Sequence, residues 1–173
     1  MTLTFCQVHL VWRHGDRTPI SPYPNDPYKD YQWPGGLGQL TKRGMRRHLE
    51  LGRWLRQRYT DWLSPTYDRA EVVIRSTDVD RTLMSALSNL AGLFPPQGDQ
   101  VWDEELPWQP IPVHTVPQDE DYLLSSHAHC PRFEELQKEI ESGEWMRDIY
   151  TSNRDLFEYV SLNAGENITN IVK

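Results

Sequence analysis

The segment Arg13-His14-Gly15-Asp16-Arg17-Thr18-Pro19 places two guanidiniums four residues apart on either side of an imidazole. A neutral imidazole nitrogen can attack phosphorus and form a phosphohistidine, which water later cleaves. Arginine presents planar forks that match phosphate oxygens, and it neutralises the charge on those oxygens during transfer. Arg75, far along the chain, supplies a third guanidinium. Three such groups around one imidazole repel each other unless an anion sits among them, and phosphate is the natural occupant. Gly15 permits close backbone approach, and Pro19 stiffens the exit of the turn. In this reading His14 is the nucleophile and Arg13, Arg17 and Arg75 hold the phosphate. No metal or other cofactor is needed, because the arginines supply the positive charge.

These residues need a scaffold that brings distant positions together. Residues 5–12 read as a largely buried strand, with Val8, Leu10 and Trp12 on alternate positions. Residues 19–38 are rich in Pro, Gly, Asp and Tyr and read as a long loop. Thr41 is expected to cap a helix running to about Tyr59, with Met45, Leu49, Gly52, Leu55 and Tyr59 on one face. Residues 71–75 are a β-branched strand and 79–93 a helix with Leu83, Leu87 and Ala91 in register, stopped by Pro95-Pro96. Residues 111–116 form a third extended piece. A further helix is expected at 131–142, opened by Pro131 and closed by Gly143, and helical stretches at 145–150 and 155–162. Alternating strands and helices predict an α/β fold with a parallel sheet. Ligands bind such sheets outside the carboxyl ends of the strands, which would put Arg13, His14 and Arg75 at one edge. The division expected is residues 1–117 for this part and 118–173 for a helical addition.

The chain has 173 residues, 38% hydrophobic and 25% charged, enough for a packed core. Its formal charge of −7 disfavours nucleic-acid binding through a basic surface, so an anion must be held locally against the global sign. No stretch is long and apolar enough to predict a membrane span, and no signal peptide is read at the N-terminus. Asn167-Ile168-Thr169 is a glycosylation sequon, meaningful only in a secreted chain. Cys6 and Cys130 do not amount to a disulfide framework; Cys6 falls within the expected buried strand, so a free, buried thiol is expected there rather than a bond between the two.

The first motif matches the RHGxRxP signature of the histidine acid phosphatases, a branch of the histidine phosphatase superfamily. Ile74-Arg75-Ser76-Thr77-Asp78-Val79-Asp80-Arg81-Thr82 resembles that family's second phosphate-binding segment. Residues 33–41, 93–96 and 108–117 are similar to its animal lysosomal and prostatic members. The resemblance implies a three-layer Rossmann-like sheet of the phosphoglycerate-mutase type, here incomplete, with the start of an α-helical cap. It implies acid phosphatase activity on phosphate monoesters through phosphohistidine at His14, with Arg13, Arg17 and Arg75 as phosphate ligands. It also implies a homodimer and a lysosomal or secreted location. The family's proton donor belongs to a His-Asp dipeptide, and this sequence contains none. A truncated form of low activity is therefore expected. The alternatives are a non-catalytic fragment that binds anions or partners, and a phytase-like or mutase-like member of the same superfamily. Cys130-Pro131-Arg132-Phe133 resembles a family segment whose cysteine pairs with one near the C-terminus.

Other residues carry plainer readings. His127, His129 and Cys130 could suggest a metal site, but no second cluster completes a tetrahedral set. Arg81 is read as a salt-bridge or surface residue and His114 as structural. Trp33-Pro34-Gly35-Gly36 lines a substrate entrance or is a plain loop. Lys42, Arg43, Arg46 and Arg47 are read as solvated helix surface rather than as an anion patch.

Overall fold

A computed structural model describes residues 7–125 and 129–169. It contains five α-helices among the described residues: α1 (Lys42–Arg58), α2 (Asp80–Leu93), α3 (Pro131–Ser142), α4 (Glu144–Ser152) and α5 (Arg154–Ala164), with a 3₁₀ turn at Gly98–Gln100. The chain divides into two compact units. One comprises Met1–Arg17 and Gln39–Val116, the other Thr18–Gly38 and Pro117–Lys173.

In the first unit α1 begins where the sequence predicts. The Thr41 hydroxyl accepts a hydrogen bond from the Gly44 amide at 3.1 Å, satisfying one of the helix's unpaired first-turn donors. The same hydroxyl donates to the Asp16 carbonyl at 3.0 Å, and the Thr41 amide donates to that carbonyl at 2.9 Å. The helix cap is thereby also the clamp on the 13–17 loop. α1 and α2 cross through glycines: a side chain on Gly52 would strike the Asn89 carbonyl, and one on Gly92 the Leu49 carbonyl. This close crossing buries Leu55, Ala86, Leu90, Leu93 and Phe94 with Ile74 and Ile111 in one core. The buried face of α2 is not the one expected. Ser85 and Asn89 are buried, while Leu87 is 38% exposed.

The expected sheet is absent. Among the described residues no β-strand forms, and the only pairings are isolated bridges, Arg17 with Leu40 and Arg75 with His114. The second is parallel, made by the His114 amide to the Ile74 carbonyl (3.0 Å) and the Ser76 amide to the His114 carbonyl (2.9 Å). A parallel sheet persists only when both its faces are covered. Here the helices cover Ile74 and Ile111, while Val73 stands 82% exposed. Residues 7–12 run without regular structure, with Val11 85% exposed and Val8 and Leu10 also exposed. Phe5 and Cys6, the start of the expected first strand, lie outside the described residues. β-branched composition supplied the local preference at these positions, and no ladder fixes it.

In the second unit α3 starts at Pro131 and stops at Gly143, as the prolyl start and glycyl stop require. The 18–38 loop is tied by Thr18 Oγ1 to the Gly36 carbonyl (2.8 Å) and by the Gly38 amide to the Pro19 carbonyl (2.7 Å). Asn25 binds the end of α5 twice, its amide to the Ala164 carbonyl and its side chain to the Leu162 carbonyl. Gly165 closes that helix in the left-handed region, φ 77°, where a side chain would meet Asn25. Cys130 is free and exposed, and Cys6 lies outside the described residues. His127 lies outside the described residues; His129 pairs with Glu134 at 2.8 Å. No helix among the described residues is long and apolar enough to cross a membrane.

Candidate active site

The 13–17 loop and the N-terminal half of α1 enclose a cleft of about 460 Å³. The loop contributes Trp12, Arg13, His14, Gly15, Asp16 and Arg17. Arg47, His48 and Leu51 complete it from α1. Three of the four residues read from the sequence, Arg13, His14 and Arg17, therefore share one cavity. Arg75 is not among the residues lining it. Arg75 stands exposed, its backbone paired with that of His114 in an isolated bridge.

His14 Nδ1 lies 2.8 Å from the Gly15 carbonyl oxygen. A carbonyl can only accept, so Nδ1 carries the proton and the lone pair of the neutral ring resides on Nε2. Gly15 is fixed in turn. Its amide donates to Ser85 Oγ at 3.0 Å, and Ser85 donates to the Arg81 carbonyl at 2.6 Å. A side chain on Gly15 would sit 2.7 Å from the Gly44 backbone, so only glycine fits where the loop rests on α1.

His48 was not singled out in the sequence. It is 5% exposed and hydrogen-bonded to the backbone of Arg13, while its Nδ1 is buried without a partner. The remaining nitrogen, Nε2, therefore donates to the Arg13 carbonyl. Burial holds the His48 pKa below its ordinary 6.5; the Arg13 bond opposes this and the nearby His14 reinforces it. Ser85 and His48 escaped the reading because helical periodicity weighs apolar residues, and both are polar groups buried to hold a loop. Asp16 faces α1, its Oδ2 3.5 Å from Arg47 Nη1 and 3.9 Å from Arg43 Nε.

An imidazole with a fixed tautomer beside two guanidiniums is an arrangement that suits phosphate, and comparison with known proteins bears on it. The family model described as histidine phosphatase superfamily (branch 2) matches residues 4–156. The chain belongs to the histidine phosphatase superfamily. Within that superfamily it is 54% identical over 159 residues to prostatic acid phosphatase of Bos taurus, covering 91% of this chain and 41% of that protein. It is 52% identical over 159 residues to human lysosomal acid phosphatase, covering 91% of this chain and 38% of that one. The chain thus spans about two fifths of the length of the curated relatives it matches. Its fold is similar to the crystal structure of Klebsiella sp. ASR1 phytase, with TM-score 0.56 and 17% identity over 86% of this chain and 37% of that one.

Proposed function

We propose that this chain carries the nucleophile half of an acid phosphatase site and takes phosphate monoesters at His14. The observation that carries the reading is the Nδ1 bond of His14 to Gly15, which leaves Nε2 free in a cleft shared with Arg13 and Arg17. The Nε2 lone pair forms a bond to phosphorus as the ester P–O bond breaks, and the leaving oxygen departs as the oxyanion and takes its proton from water. Water then attacks the phosphohistidine, releasing phosphate and restoring the lone pair. Arg13 and Arg17 stabilise the charge on the non-bridging oxygens throughout. The resemblance of residues 74–82 to a second phosphate-binding segment supports Arg75 as a third ligand.

The sequence holds no His-Asp dipeptide to protonate the leaving group. A positioned general acid contributes about 10²–10⁴-fold, so these 173 residues should favour esters whose leaving oxygen departs without a proton. Residues 118–173 are proposed as the beginning of a helical cap, and a lysosomal or secreted location fits the named relatives. Binding of inorganic phosphate, followed through the fluorescence of Trp12 in the cleft, tests the reading. Arg13→Ala and Arg17→Ala should each weaken binding about tenfold or more, the value of a charge-assisted hydrogen bond. Phosphate affinity indifferent to both substitutions would overturn it.

A further inference from the structure

We propose that Arg47, supported by Arg43, forms a second anion-binding subsite on the exposed wall of the His14 cleft. It takes the leaving-group end of small phosphate esters that carry a further negative charge, a carboxylate or a second phosphate. The inference rests on the proposed phosphatase reading and adds the substrate class.

Four basic residues stand near the start of α1, namely Lys42, Arg43, Arg46 and Arg47, and all are exposed. The structure separates them. Arg43 and Arg47, one helical turn apart, both approach Asp16, and Arg47 lines the cleft that holds His14. One carboxylate stands between two guanidiniums, and its Oδ2 makes no hydrogen bond to either. The pair therefore keeps a net positive charge and guanidinium donors available for a ligand. Side-chain exposures of 58% for Arg47 and 72% for Arg43 leave both able to reach one.

The placement opposes what helix electrostatics favours. The first turn of α1 has no acidic residue, and cations there sit at the positive end of the helix dipole. Arg43 stands in that turn, and an anion held between it and Arg47 eases that conflict. A cleft of about 460 Å³ fits a small ester rather than a peptide or a nucleic acid.

The test compares two non-hydrolysable ligands of equal size, 4-carboxyphenylphosphonate and 4-carbamoylphenylphosphonate, alongside inorganic phosphate. The unsubstituted chain should bind the carboxylate roughly three- to tenfold more tightly than the carboxamide, a preference that shrinks as salt is added. Arg47→Gln should bring the ratio near one, and Arg46→Gln should leave it unchanged. Asp16→Asn, which frees the guanidiniums, should raise it. A ratio near one in the unsubstituted chain, or one that survives Arg47→Gln, overturns the subsite. If inorganic phosphate binding ignores Arg13→Ala and Arg17→Ala, the phosphatase reading itself fails, whatever the carboxylate ratio. Failure of the unsubstituted chain to bind any of the three ligands overturns both.

Discussion

Gly44→Ala sets two physical effects against each other, and the structure decides the sign. Gly44 is the third residue of α1, and helix propensity alone favours alanine there by about 1 kcal/mol. The added methyl, however, would lie 2.7 Å from the Asp16 amide nitrogen and 2.7 Å from Leu40 Cδ1, and closer still to the Asp16 carbonyl oxygen. Comfortable carbon contacts begin near 3.5 Å, so the overlap is about 0.8 Å or more. Leu40 can rotate, but the Asp16 carbonyl is held by both the amide and the hydroxyl of Thr41. Overpacking against fixed neighbours costs about 1–3 kcal/mol. The overlap outweighs the propensity gain, and a net loss of up to roughly 2 kcal/mol follows. Relief comes by pushing the 13–17 loop off the helix, so phosphate affinity should fall with stability. Urea unfolding followed by tryptophan fluorescence and calorimetric phosphate titration measure the two. A Gly44→Ala chain that is more stable and binds phosphate as before would refute the claim that α1 sets the loop.

Two further perturbations address the same support. Ser85→Ala removes the acceptor of the Gly15 amide and should cost about 1 kcal/mol and weaken phosphate binding; unchanged affinity would show that Ser85 does not position the loop. The His48 pKa is lowered in the folded chain, so between that value and its ordinary 6.5 the unfolded chain binds more protons. The stabilisation from His48 is thus complete above pH 6.5 and is lost as pH falls from 6.5 through the folded value. His48→Gln does not titrate, and its stability deficit relative to the unsubstituted chain should narrow between about pH 7.5 and about pH 5. A deficit of constant size would remove burial of His48 as the cause.

The grouping of Arg13, His14 and Arg17 was more legible than the scaffold. Arg13, His14 and Arg17 declared themselves because short spacing on a glycine turn forces them together whatever surrounds it. The α1 boundaries were legible because Thr41 is a local signal. The sheet was not, since Val72, Val73 and Ile74 express a preference that only partners on both faces can fix, and Val73 has none on its exposed side. Arg46 and Arg47 are the same residue type side by side in sequence. What tells them apart is the rotational setting of α1, fixed by the close contacts of Gly44 and Gly52. His48 and Ser85 look like ordinary polar interruptions until the carbonyl and amide they serve are seen.

The account stands most directly on where a phosphoryl group lands. The chain should be mixed with radiolabelled p-nitrophenyl phosphate, quenched in alkali and mapped by peptide. The expected result is an alkali-stable, acid-labile label on His14, attached at Nε2 and absent from His14→Ala. Label attached at Nδ1, label persisting in His14→Ala, or no label while inorganic phosphate still binds through Arg13 and Arg17 would contradict it.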